Sequence, residues 1–386
     1  MSNIVLSAAV RQNLLSLQDT AALLSTTQNR LATGNKVNSA LDNPTNFFTA
    51  QGLNSRASDI NNLLDSIGNG VQVLQAANTG LTSLQKLVDT AKSIANQVLQ
   101  ATTGYTTKSS VSSSALLGTA TNLVDGVGIK SGDKLVIAAT AGIPAVSITL
   151  GASESLNQLN TALAASNLSA SLDSSNKLVI TTTNDAASST IGAVTWTSTG
   201  TATFGATGSA PVADANSQAI RTSLVNQYNN IITQITTTSQ DSSFNGINLL
   251  NGDNLKLTFD ETGKSTLNIT GVTYDAAGLG LGSLTVGTDF LDNSSANAAL
   301  TKLGAASTVL RTEASALGSN LSVVQLRQDF NKSLINVLQT GSSNLTLADT
   351  NEEAANSQAL STRQSIAVSA LALANTSQQS VLQLLR

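Results

Sequence analysis

Apolar residues recur every three or four positions in four long stretches, two near each end of the chain. This spacing puts one stripe of apolar side chains on each helix, and such a stripe needs a helical partner. A single stripe is more typical of an ordinary amphipathic helix on a globular core, but four stripes at the two ends favour a bundle in which the termini pair. The stripes are Val10, Leu14, Leu17, Ala21, Leu24, Gln28 and Leu31; Leu53, Ala57, Ile60, Leu64, Ile67, Val71 and Leu74; Leu310, Ala314, Leu317, Leu321 and Val324; and Leu360, Gln364, Ala367, Leu371, Ala374, Gln378, Val381 and Leu385.

Glycine and proline mark where these helices end. Gly34 and the pair Asn43-Pro44 lie between the first two stripes, where they should end one helix and introduce an irregular connector. Gly341 occupies the matching place between the last two stripes. Each end of the chain is therefore predicted to be two helices joined by a hinge, in mirror order.

The middle of the chain has a different pattern. From Tyr105 to about Pro211, Ser, Thr, Gly and Val predominate, and "KLVIAAT", "AVSITL" and "KLVITTT" predict strands around a short helix in "SESLNQLNTALAAS". A helical pattern returns between residues 219 and 238, and "LKLTFDETGKSTLNITG" alternates like a β-hairpin. The helical pattern is carried by Ile220, Leu224, Tyr228, Ile231 and Ile235.

The predicted fold is therefore mainly α, with an inserted α+β module that is rich in β-strands, and with a β-hairpin. The N- and C-terminal helices are expected to pair in an elongated, coiled-coil-like bundle. The predicted segments are residues 1–42, 43–104, 105–215, 216–275, 276–340 and 341–386.

Composition narrows the possible functions. Charged residues make up 11% of the 386 residues, aromatic residues 3%, and the net charge is −4. A nucleic-acid-binding protein needs a basic face or aromatic stacking platforms, and this chain has neither. Histidine and cysteine are both absent, which removes Cys/His zinc sites, Ser-His-Asp and Cys-His nucleophile pairs, and disulfides. Carboxylate metal sites and lysine chemistry stay open at this point.

Three motifs suggest chemistry but are better explained by structure. "TGKS" at residues 262–265 ends like a phosphate-binding loop, but Thr258 stands where that loop needs its first glycine, so a hairpin turn is favoured. "GLGLGS" at residues 278–283 has the wrong glycine spacing for a dinucleotide fingerprint and indicates a loop. Glu352 and Glu353 beside Asp349 are typical of a helix N-terminus, with Asp349 or Thr350 as the cap. We expect no catalytic residue, no metal site and no cofactor.

The first residues, "MSNIVLSAAVRQNLLSLQDT", lack a basic segment followed by an unbroken apolar run, so no cleaved secretory signal is expected. The most apolar stretch, "IAVSALALA" at residues 366–374, is too short to span a bilayer. We expect a soluble protein that is not exported by the general secretory route, and no membrane partner.

Long segments of the chain resemble bacterial flagellin. The stretch from "QNRLATGNKVNSALDNPTNFF" to "GLTSLQKL" is similar to the flagellin N-terminal helical region, "DSSFNGINLLNG" to the junction between helix and hairpin, and "ALANTSQQSVLQLLR" to the C-terminal signature. The resemblance covers about residues 1–104, 216–275 and 294–386. The inserted module is only weakly similar to small modules of flagellins and hook proteins.

This resemblance implies a filament subunit. Residues 1–42 and 341–386 would form inner-tube helices, residues 43–104, 216–275 and 276–340 the helical wall, and residues 105–215 an outer domain. The implied partners are other flagellin subunits, the hook–filament junction protein, the filament cap and a flagellar export chaperone. The implied location is the extracellular filament, reached through the flagellar secretion apparatus. The stretch that animal innate immune receptors recognise would fall near residues 88–97, where only Lys92 keeps a basic residue, so we expect weak recognition.

Eight residues are candidates for subunit packing because they are the large apolar members of the terminal stripes. Each buried leucine contributes about 1.5–3 kcal/mol, whereas ordering each residue of the backbone costs about 1–2 kcal/mol. Stripes that also contain Ala and Gln are not expected to offset this cost in a single molecule, so we expect ends that order only on assembly. The candidates are Leu14, Leu17, Leu24, Leu31, Leu360, Leu371, Val381 and Leu385.

Two other functions stay open from the sequence. A hook–filament junction (hook-associated) protein shares the same terminal helices, although "SVLQLLR" and "FNGINLLNG" favour flagellin. A secreted enzyme or sugar-binding module in residues 105–215 would need convergent polar residues, and the sequence offers none.

Overall fold

The computed structural model describes residues 8–114 and 118–384, and the chain divides into two compact units. The terminal unit comprises Met1–Asn69, Leu257–Leu267 and Val323–Arg386, and the central unit comprises Gly70–Lys256 and Asn268–Ser322. The helices are α1 (Ala8–Thr33), α2 (Pro44–Gln100), α3 (Leu156–Ala164), α4 (Ala215–Asp241), α5 (Asn293–Thr346) and α6 (Thr350–Leu384). The strands are β1 (Tyr105–Thr107), β2 (Ser110–Ser112), β3 (Lys134–Ile137), β4 (Val146–Thr149), β5 (Leu168–Leu172), β6 (Leu178–Thr182), β7 (Val194–Thr197), β8 (Val212–Ala213), β9 (Asn254–Thr258) and β10 (Thr266–Thr270). The predicted fold class is confirmed.

The first connector follows the predicted signals. Gly34 has φ +72°, a left-handed conformation that suits glycine directly after a helix. The side chain of Asn43 accepts a hydrogen bond from the backbone N–H of Asn46 at 3.0 Å, and Pro44 is the first residue of α2. Proline fits this position because its missing N–H would have no helical partner there.

The predicted break at Gly341 is wrong. Helix α5 continues to Thr346, and Gly341 lies inside it, facing Leu53 of α2. The chain leaves the helix only at residues 347–349, where Asp349 accepts hydrogen bonds from the N–H groups of Asn351 and Glu352 and so caps α6. Glycine inside a helix costs about 1 kcal/mol relative to alanine, which packing of the flanking apolar face offsets.

The central unit contains the inner parts of α2 and α5 together with α4. The apolar stripes predicted for α2 and α5 are buried here at Val71, Leu74, Leu310 and Leu317. On α4, however, the stripe runs through Arg221 and not through Ile220, which is 55% exposed. Both positions fit a helical repeat that continues to Leu224, so spacing alone did not distinguish them.

Arg221 is completely buried and joins three segments of the central unit. Burial lowers the pKa of its guanidinium, and the nearby Asp292 carboxylate opposes that shift. A buried charge is tolerated only when its donors are satisfied, and here every donor direction has an acceptor. The acceptors, at 2.5–3.3 Å, are the carbonyl oxygens of Val98, Ala101, Thr102, Phe290 and Leu291 and the side-chain oxygen of Asn293.

The three tyrosines of the chain should report the integrity of the central unit. Burial raises the pKa of Tyr105, Tyr228 and Tyr274; Asp292 adds to the shift at Tyr105, and Glu313, which accepts a 2.8 Å bond from Tyr274, adds to it there. A folded-state pKa above the unfolded value of about 10 means stabilisation that is complete below that pH and is lost as the pH rises further.

We therefore expect the folded protein to show less phenolate absorbance near pH 10 than the protein in denaturant, whose tyrosines should titrate normally. Ultraviolet difference spectroscopy measures both. Full ionisation of the three phenols near pH 10 in the folded protein would contradict the packing described for them.

The inserted module is an α+β unit, as predicted. Two three-stranded antiparallel sheets have the orders β2-β6-β5 and β4-β3-β7, and the predicted strands and short helix correspond to β3, β4, β6 and α3. Ser155 and Gln158 form a capping box at the start of α3. The two sheets and α3 surround one apolar core: Val111, Leu123, Ile129, Leu135, Ile137, Ile143, Val146, Leu150, Leu159, Leu163, Leu168, Ala170, Leu178, Ile180, Ala186, Ile191 and Ala202.

The β9–β10 hairpin is also confirmed, and residues 262–265 lie in its turn. Asp260 accepts hydrogen bonds from the hydroxyl of Thr262 and, at 2.8 Å, from the N–H of Ser265, which holds the turn closed. Lys264 is followed by strand β10 and not by a helix, so the phosphate-loop alternative is wrong. Among the described residues, no helix is both long and apolar enough to cross a membrane.

Candidate assembly surface

Helices α1 and α6 pack against each other in the terminal unit. The shielded stripe on α1 keeps Val10, Leu17 and Leu24 of the predicted set, but Leu14 and Leu31 remain 38% and 39% exposed. The other shielded positions on α1 are the polar residues Asn13, Thr20, Thr27 and Arg30. More than half of the positions that α1 shields within its own molecule are therefore polar.

On α6 the shielded positions follow the predicted stripe. Leu360, Gln364, Ala367, Leu371 and Ala374 are half-buried, and the positions between them are exposed. The structure places Val381 in α6 but does not describe its side chain, and Leu385 lies outside the described residues. Since none of these α6 side chains is fully buried, the contact between α1 and α6 leaves apolar area accessible on both helices.

Polar contacts fix the base of this pair. Arg30 near the end of α1 forms an ion pair with Glu353 near the start of α6, with 3.2 Å between Nη1 and Oε1. The connectors before α2 and before α6 also meet, because Asn35 and Leu347 form an antiparallel bridge and the N–H of Lys36 donates to the carbonyl of Thr346 at 2.7 Å. The base of the pair is thus held by hydrogen bonds, whereas the rest depends on the half-buried stripes.

The first part of α2 packs antiparallel to the last part of α5. Ala57, Ile60, Ile335 and Leu338 are buried between these two helices, with Leu53, Leu64 and Leu334 partly buried around them. Asn331 of α5 donates to the carbonyl of Phe259 at 2.9 Å, and Arg327 lies 5.8 Å above the centre of that ring. This face of α5 is fully occupied by its own chain.

Another face of α5 carries a second apolar stripe with no partner among the described residues, which we call the outer stripe. Val323, Leu326, Phe330 and Val337 are spaced by three, four and seven residues and are 43%, 71%, 56% and 66% exposed. A helix with apolar residues on both faces is typical of one buried between two layers. The heptad spacing of the outer stripe is visible in the sequence, but spacing alone does not separate it from the inner stripe.

Further large apolar side chains are exposed elsewhere in the terminal unit. Most of the exposed large apolar side chains of the described residues lie in this unit, although the central unit is larger. Large exposed apolar areas on a folded protein indicate interaction surfaces. Apart from the outer stripe and the α1 positions already given, those of the terminal unit are Leu15, Leu23, Leu41, Phe48, Leu347, Ile366, Val368 and Leu373.

Leu41 is the most exposed of these side chains, at 95%, and it lies on a braced turn. The carboxylate of Asp42 accepts hydrogen bonds from the N–H groups of Asn38 and Ser39, which hold its pKa below the usual value. A leucine held out on an ordered turn is typical of a contact residue.

The described part of the chain offers little for catalysis. It contains no cluster of three or more His, Cys, Asp or Glu side chains placed to hold a metal ion. Its buried charged residues are Asp133, Arg221 and Glu353, and each is satisfied by groups of its own chain. The arrangement supports helix packing and gives no reactive centre.

Two models of one protein family match the chain at its two ends. The bacterial flagellin N-terminal helical region matches residues 3–127, and the bacterial flagellin C-terminal helical region matches residues 300–385. The matched regions include α1, α2, α6 and nearly all of α5, so they contain the helices of the surface described above.

Individual relatives agree with the family models. Flagellin FljM of Caulobacter vibrioides is 32% identical over 167 residues, which is 42% of this chain and 59% of FljM, and FljO of the same organism is 31% identical over 163 residues. Flagellin A of Rhizobium meliloti is 37% identical over 90 residues, 23% of each chain. The alignments with the Caulobacter proteins thus cover less than two thirds of those relatives. On the two family models, the chain belongs to the bacterial flagellins, a family of structural proteins and not of enzymes.

Proposed function

We propose that this protein is a subunit of the bacterial flagellar filament, and that it polymerises with copies of itself through the terminal unit. The observation that carries the proposal is the concentration of exposed apolar side chains on α1, α5 and α6, each of which already uses another face within its own chain. Contacts between different faces of identical subunits build an open filament when the rotation between successive copies does not close a ring.

The marginal packing of α1 against α6 supports a role that needs other copies. Within one molecule the paired stripes contain Asn, Thr and Gln beside a few leucines, and isolated helices are only marginally stable in water. Neighbouring subunits that covered Leu14, Leu31, Ile366 and Leu373 would add the missing apolar burial. Leu17, Leu24, Leu360 and Leu371 would hold the pair itself, and Val381 and Leu385 would extend it.

The low charge of α6 fits a tightly packed position. Beyond Glu353 the only ionised side chains are Arg363 and Arg386. Burying an unpaired charge is costly, so a helix with so few charges can be surrounded by other helices. We propose that residues 1–42 and 341–386 form the inner part of the filament, and that the module within residues 105–215 faces outward.

The remaining partners and the location belong to the same proposal. A filament subunit would meet the hook–filament junction protein at the base, the filament cap at the tip and an export chaperone before secretion. It would be extracellular after export through the flagellar secretion apparatus. Only membership of the flagellin family supports these partners; no described contact of this chain identifies them.

A charge on the outer stripe should block assembly without unfolding the subunit. The side chain of Leu326 is 71% exposed, so Leu326→Glu should change the free energy of unfolding by less than about 0.5 kcal/mol. Losing one leucine from a buried contact, about 1.5–3 kcal/mol, should raise the critical concentration for filament growth roughly tenfold or more. Sedimentation of seeded filaments measures that concentration.

The matched control is Val127→Glu, which places the same charge at a 66% exposed apolar position in the inserted module. We expect this variant to assemble like the unmodified protein. Equal critical concentrations for the two variants would contradict a role for the outer stripe. A purified protein that never elongates filaments, even without a substitution, would favour the hook–filament junction alternative.

A further inference from the structure

The inserted module is connected to the helices of the central unit by a narrow stem. Its two strands, β1 and β8, pair at only two positions, and the register is irregular between Tyr105 and Thr107. Next to the stem, on the side of the helices, the N–H of Asp214 donates to the carbonyl of Gly104 at 2.9 Å. A two-stranded ribbon of this length is marginally stable in isolation and does not by itself fix the orientation of a module with its own core.

A second contact joins the module to the helices at a point far from the stem in sequence. The backbone N–H of Ser188 donates to Oδ1 of Asp292 at 2.7 Å, and the Ser188 hydroxyl donates to Oδ2 of the same carboxylate. Ser188 follows the short 3₁₀ turn Asn184–Ala186 of the module, and Asp292 directly precedes α5. Hydrogen bonds to an ionised carboxylate are about twice as strong as bonds between neutral groups. Two hydrogen bonds from Ser188 to the same carboxylate also fix the orientation of Ser188 relative to Asp292.

The segment that carries Asp292 is held in an unusual conformation. Phe290 has φ +63°, which is rare for a bulky residue, and its ring is fully buried against Tyr228. The carbonyl of Phe290 accepts a bond from Arg221, and its N–H donates to the hydroxyl oxygen of Ser295 at 2.7 Å. The surrounding contacts therefore hold the backbone that carries the Asp292 carboxylate in one conformation.

We propose that Asp292 is a latch that fixes the orientation of the inserted module on the central helices. With the latch closed, the Ser188 contact lies beside Tyr105 of the stem and adds a second attachment between module and helices, so the module turns as one body with α5. With the latch open, the module remains folded on its own core and pivots about the stem. A longer, 3.4 Å hydrogen bond between Asn297 and Asp185 lies beside the latch and is too weak to replace it.

The absence of native cysteine makes the proposal directly measurable in the full chain. Spin labels at Ser174→Cys, on the exposed turn between β5 and β6, and at Ser315→Cys, on the exposed face of α5, report the distance between module and helix. We expect one narrow distance distribution in the otherwise unmodified protein and a broad one in Asp292→Ala. Ser188→Ala, which keeps the backbone N–H, should give an intermediate width, and Asp292→Asn should partly restore the narrow distribution.

The control is Asp59→Ala, which removes the same charge from an exposed position and should leave the distribution narrow. Trp196, the single tryptophan, lies on β7 and reports whether the module is folded. Unchanged Trp196 emission with a broad distribution in Asp292→Ala supports the latch. A narrow distribution in Asp292→Ala overturns it. If Asp292→Ala alters Trp196 emission, the Ser188→Ala variant is used in its place. A distance distribution in Ser188→Ala that is as narrow as that of the unmodified protein then overturns the proposal.

Discussion

Deleting residues 375–386 should abolish filament growth while the central unit remains folded. The deletion removes the last residues of the chain, among them four large apolar residues: Val381, Leu382, Leu384 and Leu385. Each would contribute about 1.5–3 kcal/mol when buried between subunits, and every 1.4 kcal/mol raises the critical concentration about tenfold. We therefore expect no filaments at any practical concentration, whereas the unfolding transition of the central unit should be unchanged.

The control is a much larger deletion elsewhere in the chain. Replacing residues 107–211 by a short turn removes the inserted module but keeps the ends of the stem, Tyr105 and Ala213, which pair with each other. We expect this variant to form filaments. Electron microscopy and sedimentation compare the two deletions. Normal filaments from the protein without residues 375–386 would exclude α6 as the main contact, and loss of assembly only in the module deletion would contradict the proposed outward position of the module.

Replacing Arg221 by methionine should strongly destabilise the central unit. Methionine fills a similar volume but leaves the carbonyl oxygens of Val98, Ala101 and Thr102 at the end of α2 without donors, together with those of Phe290 and Leu291. Each buried acceptor left without a donor costs about 1–3 kcal/mol, so several of them together cost at least about 3–5 kcal/mol. We expect a loss of this size in the free energy of unfolding, measured by denaturant titration.

Two further variants make the Arg221 experiment specific. Arg221→Lys keeps the charge but has fewer donors and no planar fork, so it should recover only part of the lost stability. Arg311→Met removes an arginine from an exposed position on α5 and should change the free energy of unfolding by less than about 0.5 kcal/mol. Similar transitions for Arg221→Met and Arg311→Met would show that the buried network is not a major source of stability.

The sequence predicted the fold where a single periodicity dominated. The stripes around Ile60, Leu74 and Leu317 are buried as expected, and the strands and short helix of the module lie where the residue pattern predicted them. The start of a helix was predicted where proline restricts the backbone, as at Pro44, the first residue of α2. The prediction was wrong at Gly341, because a glycine weakens a helix without stopping it when the flanking residues are packed.

On two helices the shielded stripe differs from the predicted one, and both differences have the same origin. On α1 and α4 two neighbouring residues both fit a helical repeat, namely Asn13 or Leu14, and Arg221 or Ile220. Hydrophobicity favours the apolar residue of each pair, but the structure shields the polar one. At Arg221 the reason is that its hydrogen-bond acceptors lie on other segments of the chain. No local pattern carries that information. On α1 this difference leaves apolar side chains exposed, and exposed apolar area on the terminal helices supports assembly.

Hydrogen exchange of α1 and α6 tests the central claim most directly, because it compares the same helices in dilute monomer and in filament. We expect the amides of residues 8–33 and 350–384 to exchange at nearly unprotected rates in the monomer, while those of α4 and of α2 in the central unit are protected. In filaments the terminal helices should gain at least about a hundredfold protection. Equal and strong protection of α1 and α6 in the dilute monomer would show that they are stable without neighbours, and would contradict the claim that assembly completes their folding.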